Sequence, residues 1–348
     1  MKNNRLIYIL LIGLFIWCVI LTSIFVNKND ENQTEVVNEY NITGFSTDFT
    51  KIVDEKKNSI VTITTNGTVA SGFVYKQDGD NIYIVTAYHA VSEADSCTVS
   101  FVNGYATEAE VIGKSIYGDV AVLKIESPYI VEPLKLGDCT KLSAGEYVVS
   151  IGTPVSIEYQ NSVEIGMVSN SVRSIINSVT AEDKTVNYYI DAIQLSSNLK
   201  PGYSGSPVIN MNGDVIGMNT MSLINSFNFA ITSNEMSIIA DRIINGEVVT
   251  KYQLGVKGSY INQMELFERS SLDLSVDVLD GMYVMDIIDN SLAQVAGVKK
   301  GDVIISINGQ TISNFVDYLN VVYTQTDSFE FVVLSEGVTN TYTVEIND

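Results

Sequence analysis

With 348 residues, 46% of them apolar, the chain is long enough for two cored domains, which excludes disorder throughout. Lys and Arg total 20 against 41 Asp and Glu, a net charge of -21, so a nucleic acid would be repelled and a nucleic-acid partner is excluded. One histidine and three cysteines are too few for a His/Cys zinc cluster or a disulfide framework, and no metal or cofactor is expected.

Leu6 to Val26 carry no charge, and a helix of that length, rising ~1.5 Å per residue, crosses a ~30 Å hydrocarbon core. The segment reads as a spanning anchor rather than a cleaved signal peptide. The apolar stretch of a signal peptide runs ~7 to 15 residues and closes on small residues, whereas Phe25, Val26 and Asn27 stand here. Phe15, Ile16 and Trp17 before Cys18 argue against lipidation of that thiol. Lys2 and Arg5 precede the span and only Lys28 closely follows it. That balance favours residues 1–5 in the cytoplasm and the rest of the chain on the extracytoplasmic side of the cell membrane. Residues 27–50, rich in Asn, Thr and Glu without sustained apolar period, form a stalk. The exported thiols, Cys97 and Cys139, could pair in an oxidising compartment, and the sequence leaves both states open.

Residues 51–246 carry many short Val/Ile/Thr/Tyr runs, among them SIVTITT, NIYIVTAY, VAVLKI, EYVVSIG and DVIGMNT, separated by Gly, Asn and Asp. This pattern predicts a mainly β domain whose length suits two packed barrels. A helix over 233–244 closes it, with Met236, Ile239, Ala240 and Ile243 on one face and Gly246 as its stop. Beyond the linker NGEVVTK, residues 252–348 form a second, α+β domain with helices near 291–296 and 314–323.

The only histidine, His89, follows a β-like run in TAYHAV; Asp119 stands in YGDVAVLKI and Ser204 in KPGYSGSP. The chain order His, Asp, Ser is that of the chymotrypsin-type triad and differs from the α/β-hydrolase and subtilisin orders. A serine hydroxyl attacks only when an imidazole takes its proton, and a carboxylate on the other ring nitrogen sets the tautomer. Backbone N–H groups of the turn Gly202, Tyr203, Ser204 are the candidates for an oxyanion hole, with Gly202 and Ser204 aimed at the developing charge. A lone histidine is ordinarily structural; the three matching contexts together make the catalytic reading the stronger one.

These motifs resemble those of the HtrA/Deg family of trypsin-like serine proteases, whose nucleophile and histidine motifs run close to N-P-G-N-S-G-G-P and T-N-x-H-V-V. DFTKIVDEKKNSIVTI, SGFVYKQDG, VIGMNT and NFAIT extend the likeness along the first domain. NSLAQVAGVKKGDVIISINGQTI and YQLGV resemble a PDZ domain. The resemblance implies a chymotrypsin-like double β-barrel followed by one PDZ domain behind a transmembrane helix, as in the DegS-type arrangement. It implies a membrane-anchored serine endopeptidase cleaving unfolded or damaged exported proteins in protein quality control and stress response. Leu254, Gly255 and Val256 would form the loop that captures a peptide's terminal carboxylate. Aromatic residues such as Phe45 and Phe49 would help form a homotrimer, unless they merely pack the stalk onto the body.

The chain also departs from the family pattern. Tyr203 and Ser206 replace the usual Asn and second Gly beside the nucleophile, adding bulk at the oxyanion turn, and Ser196 stands where many relatives have Asp. Asn198, in place of a carboxylate six residues before the nucleophile, argues against cleavage after Lys or Arg. The resemblance instead implies a small aliphatic pocket walled by Leu199, with Met218, Asn219 and Thr220 pairing with substrate. The rival reading is a non-catalytic PDZ peptide sensor or holdase on a protease scaffold distorted by Tyr203 and Ser206.

Overall fold

The computed structural model describes Trp17 and residues 49–181, 184–220, 228–272, 274 and 278–346. Apart from Trp17, the expected span Leu6 to Val26 lies outside these residues, as do Phe45 and most of the stalk. Among the described residues no helix is long and apolar enough to cross a membrane.

The first helix, α1 (Phe49–Lys56), starts two residues before the expected domain boundary because Phe49 packs edge-on against Tyr147 at 6.1 Å and Ile52 is buried. Six strands follow: β1 (Ile60–Thr65), β2 (Thr68–Asp78), β3 (Asn81–Ala87), β4 (Ser96–Phe101), β5 (Ala106–Ser115) and β6 (Val120–Glu126). They close into a barrel in the order β1-β2-β3-β6-β5-β4. Val61, Ile63, Val74, Ile82, Ile84 and Leu123 fill its interior, from strands whose side chains alternate between interior and exterior.

The second barrel holds β7 (Tyr147–Gly152), β8 (Ser162–Ala181), β9 (Lys184–Leu195), β10 (Pro207–Asn210), β11 (Val215–Asn219) and β12 (Asn228–Thr232), in the order β10-β11-β12-β9-β8-β7. The expected two-barrel architecture is therefore present. What the β-rich runs did not convey is the 20-residue length of β8, which pairs with β9 from Val168↔Leu195 to Ala181↔Lys184. Its residues SNSVRS lack apolar alternation, which is why its length is not legible in the β-rich runs.

Helix α2 (Ser233–Ile244) falls where the sequence predicts it. Thr232 caps it by accepting the Glu235 N–H at 3.2 Å, and Met236, Ile239, Ala240 and Ile243 are buried. Ile239 and Ile243 press into the space left open by Gly118 and Gly113 of the first barrel, so the helix locks the two barrels together.

The carboxyl-terminal part comprises β13 (Val256–Tyr260), α3 (Leu266–Ser271), β14 (Met282–Ile287), α4 (Leu292–Ala296), β15 (Val303–Ile307), β16 (Gln310–Thr311), α5 (Phe315–Val322), β17 (Ser328–Ser335) and β18 (Val338–Glu345). The sheet runs β13-β14-β15-β17-β18, with β16 on β15 and β13 at its edge. Ser291 and Asn314 cap α4 and α5, matching the expected helices; the short α3 carries no apolar period and was not expected.

Cys97 and Cys139 are both buried free thiols, settling the open question of their pairing. Cys97 belongs to the core of the first barrel, whereas Cys139 packs in the separate cluster beneath α2.

Candidate active site

The two barrels bring His89, Asp119 and Ser204 together. His89 sits in a short turn, residues 88–90, immediately after β3, and Asp119 immediately before β6. Because β3 and β6 are paired neighbours, their ends are adjacent by register, with Ala87 opposite Val120. Asp119 adopts a left-handed φ of 53° and is buried. Its carboxylate accepts the His89 backbone N–H at 3.0 Å and lies 2.8 Å (Oδ2) and 3.0 Å (Oδ1) from His89 Nδ1. The Thr220 hydroxyl donates to the same carboxylate. On the other side of the ring, Nε2 lies 2.9 Å from Ser204 Oγ. Burial of the ring opposes its protonated form, but the hydrogen bond and charge of Asp119 outweigh that, so the His89 pKa lies above the ordinary histidine value.

The turn before the nucleophile is held carbonyl by carbonyl. The Pro201 carbonyl accepts the Val155 N–H at 2.9 Å, the Gly202 carbonyl accepts the Ser71 hydroxyl at 2.7 Å, and the Tyr203 carbonyl accepts the Ser206 N–H at 2.9 Å. In a trans peptide the following N–H points opposite to the carbonyl. The Gly202 and Ser204 N–H groups therefore project away from Val155 and Ser206, as oxyanion donors must. The Tyr203 N–H does not join them: it donates to the Lys200 carbonyl at 3.2 Å, which corrects its inclusion among the expected donors.

Two glycines are sterically obligatory here. Gly202 has φ 103° and a Cβ would strike the Thr153 carbonyl; Gly205 has φ 84° and a Cβ would strike the Ser71 carbonyl.

The added bulk of Tyr203 and Ser206 is absorbed by the interior. Ser206 Oγ donates to the Tyr203 carbonyl at 2.6 Å and accepts from Asn219 Nδ2 at 2.9 Å. Tyr203 is buried, and burial with the nearby Glu164 carboxylate pushes its phenol up to about 12. Ser196 accepts the Met167 N–H at 2.9 Å through its hydroxyl, bracing the loop onto β8.

A cleft of about 360 Å³ adjoins Ser204, with Leu199, Ala90, Thr220 and Asn228 in its walls. Leu199 and Thr220 both border this cleft, although the Thr220 N–H, expected to pair with substrate, donates instead to the Phe229 carbonyl at 3.2 Å. Met218 and Asn219 do not border it: both are fully buried, and their strand β11 is paired with β10 on one side and β12 on the other. The Asn219 N–H and carbonyl bond Ser206 and Gly205, leaving nothing for substrate. Asn228, which the sequence reading missed, is buried in the cleft wall with its amide donating to the Ser197 carbonyl. Its position opening the run NFAIT, a strand that pairs with the end of β9, was the available signal. Asn198 is exposed and donates its N–H to Glu164 at 3.2 Å; among the described residues no carboxylate lines the cleft.

The second candidate site is a cleft of about 520 Å³ bordered by Leu254, Gly255, the β13 edge, and Phe315 and Tyr318 of α5. The Leu254 carbonyl accepts the Ala293 N–H at 3.0 Å and the Gly255 carbonyl accepts the Ile288 N–H at 2.8 Å. Val256 opposes Ile287 on the non-bonded side of the ladder, so the Val256 N–H faces the open edge.

The family model for the trypsin-like peptidase domain matches residues 70–218, and that for the PDZ domain matches residues 247–323. The serine protease Do-like HtrB of Bacillus subtilis (strain 168) is 33% identical over 280 residues, covering 78% of this chain and 60% of the relative. The serine protease Do-like HtrA of Lactobacillus helveticus is 33% identical over 261 residues, covering 73% and 62%. The chain thus spans about three-fifths of the length of these curated relatives. Among solved structures, the HtrA-type protease AlgW with tripeptide superposes with TM-score 0.57 at 25% identity, covering 85% of this chain and 95% of that one. The serine endoprotease from Yersinia pestis, at 20% identity and TM-score 0.51 over 85% of this chain and 96% of its own, shares the fold. By domain order, sequence and fold, this chain carries a trypsin-like peptidase domain followed by a PDZ domain, and the relatives it matches are HtrA-type serine proteases.

Proposed function

We propose that the chain is a membrane-anchored serine endopeptidase that cleaves unfolded or damaged exported proteins through His89, Asp119 and Ser204. The observation that carries this reading is the unbroken chain of contacts from Asp119 through His89 Nδ1 and Nε2 to Ser204 Oγ. In that geometry His89 takes the Ser204 proton as Oγ attacks the scissile carbonyl. Asp119 stabilises the imidazolium, and the Gly202 and Ser204 N–H groups receive the oxyanion. His89 then returns the proton to the leaving amine, and water releases the acyl group from Ser204 by the same steps in reverse. The absorbed side chains of Tyr203 and Ser206 weigh against a distorted, non-catalytic scaffold.

The PDZ domain binds carboxyl-terminal peptides. A peptide adds as a strand beside β13, and its carboxylate meets the outward N–H groups at Gly255 and Val256. The tripeptide that accompanies AlgW in its solved structure supports a peptide-binding role for this chain as well. The uncharged stretch Leu6 to Val26 supports the anchor and the extracytoplasmic placement of both domains. The exposed apolar Val163, Ile165 and Met167, on one face of β8, support self-association as a homotrimer.

The test uses the full chain purified in detergent, with unfolded casein, a fluorophosphonate probe and the Ser204→Ala variant. Cleavage and labelling that disappear together in the variant are expected. Casein cleavage that persists in Ser204→Ala, or wild-type protein that neither labels nor cleaves even with carboxyl-terminal peptides added, would sink the proposal.

A further inference from the structure

The seam between the barrels holds a residue of the first barrel that is hydrogen-bonded to the oxyanion turn of the second. Ser71, on β2 of the first barrel, is fully buried. Its Oγ lies 2.8 Å from the Thr153 N–H and 2.7 Å from the Gly202 carbonyl. An N–H can only donate and a carbonyl can only accept, so the single hydroxyl proton is committed to Gly202. The main chain of Ser71 is committed as well. Its N–H donates to the Ser204 carbonyl at 2.9 Å, and its carbonyl accepts the Thr86 hydroxyl at 2.8 Å.

Gly202, lacking Cβ and held at φ 103°, has the freest backbone of the turn. Two peptide planes flank it, and both must be fixed for its N–H to converge with that of Ser204. The preceding plane is fixed by the Val155 N–H on the Pro201 carbonyl. Among the described residues, the donor on the Gly202 carbonyl is the Ser71 hydroxyl. Thr153, which supplies the N–H to Ser71, is tied back to the first barrel by a 2.6 Å contact between its hydroxyl and that of Thr62.

We infer that Ser71 is a positioning residue for the oxyanion hole: its hydroxyl locks the Gly202–Tyr203 peptide, so the first barrel dictates the donor geometry of the second. This rests on the reading of the chain as a serine endopeptidase.

The test compares wild type, Ser71→Ala and Ser71→Cys as full chains on a peptide substrate. Ser71→Ala is expected to lower kcat roughly 10- to 100-fold with KM within about twofold, since an oxyanion donor acts mainly on the transition state. Ser71→Cys, which keeps a weak S–H donor, is expected to fall between the two. A wild-type kcat in Ser71→Ala, or a loss shared by kcat and KM that Ser71→Cys does not relieve, overturns the inference. Should Ser71→Ala fail to fold, Ser71→Cys decides by the same criteria. A wild type without Ser204-dependent cleavage overturns the proposed function instead. In that event a crystal structure of the foldable variant decides: a displaced Gly202 carbonyl supports the role of Ser71, and an unmoved one refutes it.

Discussion

Lys251 and Glu235 meet at 2.6 Å with both side chains shut away from water, and the pair joins the linker before the PDZ sheet to the helix that closes the peptidase domain. Tyr323, just after α5, donates its hydroxyl to the same Glu235 oxygen at 2.6 Å. Burial disfavours the Lys251 ammonium, yet the charges of Glu235 and Asp191 hold its pKa above the ordinary lysine value. Two domains are thus tied by charges that water does not reach. Removing one partner leaves the other buried and uncompensated, so Lys251→Met should cost about 3 kcal/mol of stability, read from urea unfolding. The double variant Lys251→Met with Glu235→Leu should recover most of that loss. Equal stability of Lys251→Met and wild type would show that the pair contributes nothing.

Activity should depend on the neutral form of His89. Because Asp119 lifts the His89 pKa above its usual ~6.5, activity should be lost as pH falls through a value above that reference, and be full well above it. The measurement is kcat/KM against pH on a short peptide substrate. An acid limb centred below the ordinary histidine value would contradict the charge balance around the ring.

Asp119→Asn should keep the fold and lower kcat by roughly 10,000-fold, because an amide facing Nδ1 favours the wrong imidazole tautomer. Circular dichroism checks the fold and single-turnover kinetics the rate. Loss of less than about tenfold would mean that Asp119 does not orient the ring.

Glycine substitution should separate a crowded position from an open one. At Gly205 the left-handed backbone is joined by a collision with the Ser71 carbonyl, whereas at Gly246, φ 74°, a Cβ meets nothing within 4 Å. Gly246→Ala should cost only about 1 to 2 kcal/mol and leave cleavage intact. Gly205→Ala should abolish labelling of Ser204 by a fluorophosphonate.

Cleft shape should govern which residue precedes the cut. Asn228→Gly removes a side chain from the wall shared with Leu199 and should shift kcat/KM toward larger apolar residues by roughly 10-fold, the worth of a methylene or two in a pocket. Cleavage after Lys or Arg should remain negligible, since no described carboxylate lines the cleft. A peptide library profiled before and after the substitution reports both.

The local level of this protein is written in its sequence. Strand and helix periods, the Thr232 cap with Glu235 three residues on, and the glycine-rich nucleophile turn each depend on neighbours a few positions away. The order of His89, Asp119 and Ser204 with their flanking residues identified the candidate chemistry because each motif is contiguous. Tertiary structure alone decided what depends on residues far apart in the chain. Met218 and Asn219 look like a substrate-pairing strand in sequence, but two neighbouring strands consume their backbone. Tyr203 looks like a third oxyanion donor until the Lys200 carbonyl claims its N–H. Ser206 looks intrusive until Asn219 and the Tyr203 carbonyl satisfy its hydroxyl. Ser71, 131 positions from the carbonyl it holds, carries no local signature of that contact. Side-chain periodicity survives in one dimension; the pairing of a buried donor with its acceptor exists only once the two barrels have closed on each other.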